Sequence, residues 1–151
     1  MQKYQFRLEA VLKLRRLKEE NCRIELGQLL MQLRKIEDQI AHDRAQQSTY
    51  HDIQETSLKQ GITAGQLQAF PMLLAAKDTN IIYMLKEKEK QEHLIEEKRQ
   101  ELATLKGELK VMENLKEKDY NEFKKALNKE TDQKVEEQTQ NWLAHRQKAS
   151  P

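Results

Sequence analysis

The side chains best suited to metal binding or nucleophilic chemistry are few and scattered in this chain. Its four histidines, His42, His51, His93 and His145, never stand three or four residues from one another or from the single cysteine, Cys22. Helical metal sites need ligands about one turn apart. There is also no glycine-rich phosphate loop and no Cys-x-x-Cys pair. We therefore interpret the histidines as solvated helix residues and expect no metal, no cofactor and no small-molecule substrate.

Composition indicates long helices rather than a compact globule. Charged residues make up 34% of the 151 residues and hydrophobic residues only 37%, with four glycines and two prolines. Such a chain is typical of a coiled coil. Its many carboxylates would lie on exposed faces, whereas catalysis needs a dry concave pocket. We expect a non-enzymatic protein that binds other macromolecules.

Cysteine usage and hydropathy bear on the compartment. One cysteine excludes an internal disulfide and suits a reducing environment. No apolar run is long enough for a spanning helix or a signal peptide. We expect a cytoplasmic protein.

Apolar residues recur at alternating steps of three and four in both halves of the chain, which is the spacing of a coiled-coil seam. The apolar members of the two seams are Leu8, Leu12, Leu26, Leu29, Leu33, Ile36 and Ile40, then Ile81, Met84, Ile95, Leu102, Leu105, Leu109 and Met112. Polar residues such as Asp43 and Lys77 interrupt the seams and are expected to help fix their register. Cys22 falls on the first seam, where we interpret it as a small buried residue, with a reactive thiol as the alternative.

A turn separates the two seams. Gly61 and Gly65 are the only close pair of helix breakers, and Thr63 with Gln66 matches a capping box. Pro71 should kink or interrupt the helix that follows.

The predicted fold is therefore all-α: a long antiparallel two-stranded coiled-coil α-hairpin, with a short helix or a kink at the tip near Pro71. We expect residues 1–151 to form a single elongated coiled-coil domain. Its first helix would run from about 5 to 58 and its tip over 59–71. Its second helix would run from about 72 to 146, followed by a frayed C-terminus.

A second apolar stripe lies outside the first seam. Leu14, Leu17, Ile24 and Met31 occupy the outer c and f positions of the heptad, which a two-stranded coil leaves in water. One interpretation is a docking face for a partner protein, because Arg and Lys flank the stripe as they would at an interface. The alternative is that the overhanging second helix, or a register shift, covers it.

Two further features bear on partners. The glutamates interleaved with the basic residues, such as Glu9, Glu19 and Glu20, argue against nucleic acid, which favours a stripe of one sign. The segment from Leu67 to Lys77 is the least charged in the chain. It is either a small core that closes the tip or a second partner patch.

The first residues resemble a known family. Tyr4, Phe6, Arg7, Leu8, Glu9, Val11, Leu12 and Arg15 are similar to the N-terminal signature of the FliJ family of bacterial flagellar export proteins. The chain length, the glycine-containing link near residue 62 and the long second helix also resemble that family. The resemblance implies an antiparallel coiled coil similar to the central stalk (gamma) subunit of rotary ATP synthases.

The resemblance also implies partners and a location. FliJ-like proteins engage the hexameric flagellar export ATPase, link it to the membrane export gate and handle export chaperones. A cytoplasmic protein held peripherally at the cytoplasmic face of the inner membrane would follow. The alternatives are a free-standing coiled-coil adaptor or escort chaperone that never enters a ring, and a spacer that only dimerises.

Candidate site residues follow from the same resemblance. The ATPase end would comprise Phe6, Arg7, Val11, Leu14, Arg15, Arg16, Leu17 and Ile24. At the gate end, Leu73 and Lys77 match the family's contact positions, with Phe70 and Leu74 nearby. Lys77 departs from the apolar residue that the family pattern places there.

Overall fold

Two α-helices and a short turn make up the structure, a computed structural model that describes residues 2–149. Helix α1 comprises Glu9–Gln60 and helix α2 comprises Ala64–Ala149. No strand occurs among the described residues. Contacts between the two helices run antiparallel, so the predicted all-α helical hairpin is confirmed.

The turn between the helices follows from local chemistry. Gly61 comes directly after α1 with a φ of 86°, the left-handed conformation that terminates helices and that glycine adopts without strain. The Gln66 amide donates to Thr63 Oγ1 at 3.3 Å, and the Thr63 amide donates to Gln66 Oε1 at 3.3 Å. This reciprocal pair confirms the predicted capping box and begins α2 at Ala64.

Element boundaries differ from the prediction at three places. Helix α2 continues through Pro71, so there is no separate tip helix among the described residues. Proline removes one backbone donor, at a cost of about 3 kcal/mol, and α2 continues on both sides of it as one helix of 86 residues. Helix α1 begins at Glu9 rather than near residue 5. Helix α2 extends to Ala149, and the rest of the predicted frayed end, Ser150 and Pro151, lies outside the described residues.

The chain forms two compact units. One, here called the turn unit, comprises Glu20–Thr104. The other, here called the terminal unit, comprises the described chain up to Glu19 and from Leu105 onward. Each helix contributes to both units.

A narrow seam holds the turn unit together. Its buried apolar residues are Cys22, Ile40, Ile81, Ile95 and Leu102. Their burial is expected from the three-four spacing, since each faces the other helix. The exposed fraction of Cys22 is 3%, which favours its interpretation as a small buried residue.

Polar side chains cross the same seam and set the pairing of the helices. The Gln91 side chain donates from Nε2 to the Leu29 carbonyl at 3.0 Å and to Gln32 Oε1 at 3.1 Å. Lys98 Nζ lies 2.8 Å from a Glu25 carboxylate oxygen across the hairpin, and hydrogen bonds to Glu25 and Glu101 raise the pKa of Lys98. Because these partners are residue-specific, a slip by one heptad would break them.

The most buried ion pair in the turn unit joins Asp43 and Lys77. Lys77 Nζ lies 3.3 Å from Asp43 Oδ1, and the Asp43 side chain is only 3% exposed. Gln39 Nε2 donates to the same oxygen at 3.2 Å. A buried carboxylate is tolerated only when it is paired and hydrogen-bonded, so Lys77 is required for Asp43 to be in the seam.

We predict that Lys77→Met lowers the free energy of unfolding by about 3 kcal/mol, because it leaves the Asp43 carboxylate buried without its cation. The double variant Asp43→Leu/Lys77→Leu removes both charges and should be at least as stable as the parent chain. Urea unfolding followed by far-UV circular dichroism measures both.

Lys90→Met is the matched control for that series, since the Lys90 side chain pairs with Glu87 at 75% exposure. Its effect should stay within about 0.5 kcal/mol. Equal destabilisation by the Lys77 and Lys90 substitutions would show that the buried ion pair contributes no more to the free energy of unfolding than an exposed one.

Candidate partner-binding surfaces

The residues that precede α1 are anchored on α2 in the terminal unit. The Tyr4 ring makes an edge-to-face contact with Tyr120, with 5.0 Å between centroids, and lies 5.3 Å from the Phe123 ring. Its hydroxyl donates to Asp119 Oδ2 at 3.0 Å and approaches the Lys116 carbonyl at 3.3 Å. This anchor explains why α1 begins at Glu9, because the preceding segment follows α2 instead of continuing the helix.

The environment of Tyr4 disfavours its ionised form. Burial against α2 raises the pKa of Tyr4 to about 12, assisted by the hydrogen bond to Asp119 and by the negative charges of Asp119 and Glu9. Nearby, Lys116 Nζ lies 2.9 Å from a Glu9 carboxylate oxygen, and this hydrogen bond lowers the pKa of Glu9. Glu9 also sits in the first turn of α1, where negative charge is favoured.

Two of the eight residues predicted for the ATPase end face inward. Phe6 is half-buried. Arg15 is half-buried too, and its Nη1 donates to the Glu108 carbonyl at 3.0 Å. Arg16 is exposed, with its Nε 3.8 Å from a Glu113 oxygen. The structure therefore uses Arg15 to join α1 to α2.

The outer stripe of α1 is exposed. In the terminal unit, Leu14 and Leu17 are 51% and 53% exposed, and Arg7 and Val11 are exposed as well. In the turn unit, Ile24 and Met31 are exposed. Helix α2 does not cover these side chains, so the alternative of a covered stripe does not describe the structure.

Residues near the turn divide between core and surface. Phe70 and Leu74 are half-buried, and Lys77 is held by Asp43. Leu73, by contrast, is 46% exposed and Met72 is 74% exposed. Of the residues predicted for the gate end, Leu73 is the one that the structure leaves on the surface.

Sequence reasoning missed several exposed apolar residues on α2. They are Ile82, Tyr83, Val111 and Leu115, together with Leu143 in the last part of the helix. Every described residue of α2 after Phe123 is exposed.

Other kinds of site find no support in the described part of the chain. No cluster of three or more His, Cys, Asp or Glu side chains there could hold a metal ion. No helix of the described chain has a stretch apolar enough to span a membrane. The cavities found are open surface grooves, such as one lined by Tyr4, Arg16 and Tyr120.

A two-helix hairpin with one narrow seam and several exposed apolar patches belongs to the class of coiled-coil interaction proteins. The family model described as Flagellar FliJ protein matches residues 4–137, so this chain belongs to the FliJ family of flagellar export proteins. Membership implies a role in flagellar export within a family that is a non-catalytic component of that apparatus. No match to a curated protein or to a solved structure was found.

The pKa of Tyr4 provides a test of the N-terminal anchor. A pKa raised from 10.0 to about 12 means that the neutral phenol is favoured in the folded chain. The stabilisation is then fully present below pH 10 and is lost as the pH rises through about 12. The difference between absorbance titrations of the parent chain and Tyr4→Phe should show a midpoint near 12.

Asp119→Asn is the control for that titration, because it removes the negative charge beside the phenol while keeping the size of the side chain. In this background the Tyr4 midpoint should move down toward its ordinary value. A midpoint near 10 in the parent chain would mean that Tyr4 is not anchored on α2.

Proposed function

We propose that this chain is a non-enzymatic stalk, or coupling, protein of the flagellar export machinery. Its terminal unit binds the hexameric export ATPase, and exposed residues beside the turn contact the membrane export gate. It also handles export chaperones. The protein would act in the cytoplasm, at the cytoplasmic face of the inner membrane. Family membership supports a role in flagellar export. The exposed face of α1 supports binding of a partner protein through that face.

The observation that carries the proposal is the pair Leu14 and Leu17, each more than half exposed on the outer face of α1. Lys18 follows Leu14 by four residues and Lys13 precedes Leu17 by four, so both lie on the same helix face and both are exposed. Apolar anchors surrounded by cations suit a partner surface that is apolar at its centre and acidic at its rim.

Coupling requires that this face distinguish states of the partner. A stalk that bound every conformation of an ATPase ring with equal affinity would change the population of none of them. A face of a few apolar anchors with surrounding charges can distinguish them, because small displacements of the ring surface separate anchors from their pockets. The exposed face of α1 would then favour one ring conformation over the others.

The test measures ATPase activity of the cognate hexamer with and without the full chain. We expect the parent chain to stimulate activity and Leu14→Asp/Leu17→Asp to weaken binding at least about tenfold, as loss of interface anchors does. Arg15 is left unchanged because it holds α1 to α2.

Val111→Asp/Leu115→Asp is the matched control, since it places two aspartates on exposed apolar positions of α2 in the same unit. It should bind and stimulate like the parent chain. No stimulation and no binding by the parent chain would instead favour the free-standing adaptor or escort chaperone. Equal losses in both variants would show that the face of α1 has no special role.

A second prediction concerns the gate contact. Leu73→Asp should weaken binding to the isolated cytoplasmic domain of the export gate protein by about tenfold, because Leu73 is the exposed member of its group. Leu85→Asp is the control, since Leu85 is 40% exposed on the same helix against 46% for Leu73. Titration calorimetry measures the affinity of both variants for this domain. Unchanged affinity of Leu73→Asp would exclude this residue from the gate surface.

A further inference from the structure

Residues 2–8, here called the strap, precede α1 without being helical. Every second residue of the strap is half-buried, namely Tyr4, Phe6 and Leu8, and the residues between them are exposed. This alternation is typical of an extended chain with one side against a neighbour. In a helix, residues two apart differ by about 200° in direction. A helical strap could therefore not turn these three side chains to one side.

Tyr4 is the side chain that fastens the strap to α2. Its ring lies against Tyr120 and Phe123, and its hydroxyl donates to Asp119. Even with this ring in place, Tyr120 is 43% exposed. One ring on a partly open surface is a contact that a competing partner or a single substitution can break.

The start of α1 is built so that the helix can extend into the strap. Leu8 stands directly before Glu9 and has no side-chain acceptor to cap the helix, whereas Thr63 caps α2. The Glu9 amide already donates to the Phe6 carbonyl at 3.2 Å, so a turn reaches back into the strap. Residues 5–8 include no glycine and no proline. Without the Tyr4 anchor, these residues can therefore continue α1.

Extension of α1 would move Phe6 to the outer face of the helix. Phe6 precedes Leu17 by eleven residues, which is three helical turns to within about 20°. Arg7 precedes Val11 by four residues and Leu14 by seven, so it would lie beside both. Only the helical form of the strap therefore places Phe6 and Arg7 on one face with Leu14 and Leu17.

We propose that the strap is an autoinhibitory latch that withholds Phe6 from the outer face of α1. While Tyr4 lies on α2, the strap is extended and Phe6 is half-buried. When Tyr4 leaves, residues 5–8 become helical and Phe6 lies in line with Leu17. This inference rests on the proposed function, in which the export ATPase binds that face. A partner that contacts Phe6 only in the helical form favours release of the strap.

The first experiment measures the ¹³Cα chemical shifts of residues 5–8 in the full chain without a partner. The parent chain should show non-helical values. Tyr120→Ala removes a ring on which Tyr4 rests and leaves the strap unchanged, so it should move these shifts to helical values. Tyr4→Ala should do the same from the other side of the contact.

Tyr83→Ala is the matched control for the chemical shifts. Tyr83 is a tyrosine of α2 that is 61% exposed and belongs to the turn unit, whereas the strap belongs to the terminal unit. Its substitution should leave residues 5–8 at the parent values. Helical shifts in the parent chain, or non-helical shifts in both release variants, would overturn the proposal.

The second experiment measures the affinity of the cognate export ATPase for the same variants. Tyr120→Ala should bind about tenfold more tightly than the parent chain, because a larger fraction of the molecules then presents Phe6. Adding Phe6→Ala to that variant should remove the gain, and Tyr83→Ala should bind like the parent chain. Equal affinities of Tyr120→Ala and the parent chain would contradict the latch.

The two experiments separate failure of the latch from failure of the proposed function. A parent chain that does not bind the ATPase contradicts the proposed function, and the chemical shifts decide on the latch without the ATPase. Conversely, loss of binding in Leu14→Asp/Leu17→Asp with no gain in Tyr120→Ala supports the proposed function and overturns the latch.

Discussion

Burial of one narrow apolar seam per helix is the constraint on which the rest of the structure depends. Only seven apolar residues of the described chain are buried, among them Leu12, Ile40 and Ile95, and Leu12 alone is fully removed from water. So small a core supplies limited free energy and, because its members recur every heptad, little register specificity. The polar side chains within the seam supply the specificity that the apolar ones lack. Gln91 can donate to the Leu29 carbonyl in only one alignment, and Asp43 finds Lys77 in only that same alignment.

The same constraint decides what the surface can do. A two-helix layer buries one face of each helix, so any further apolar residue must remain in water or meet another molecule. Leu14 and Leu17 on α1, Leu73 beside the turn and Trp142 on α2 are all of this kind. Family membership implies a role of this chain in flagellar export.

Much of this architecture could be predicted from residue spacing alone. Every apolar residue assigned to the two seams is buried or half-buried, because three-four spacing fixes a face whatever the tertiary contacts are. The capping box was predictable for the same reason, since it is local. The start of α1 was not, because it depends on Tyr4 meeting Tyr120 and Phe123 far along the chain. Of the two alternatives predicted at Pro71, an interruption or a kink, the interruption does not occur, since flanking turns in a long helix outweigh one lost hydrogen bond.

The two adjacent arginines on α1 have different roles. Arg15 and Arg16 are adjacent in sequence, yet one joins the helices through the Glu108 carbonyl while the other stays exposed beside Glu113. Arg15 lies at a seam position and reaches across the hairpin, where its guanidinium donates to a backbone carbonyl. The basic character around Leu14 and Leu17 therefore comes from other side chains, such as Lys13 and Lys18. In the proposed function a partner protein contacts this outer face while the seam between the helices stays closed. Binding and coupling therefore require no opening of the hairpin.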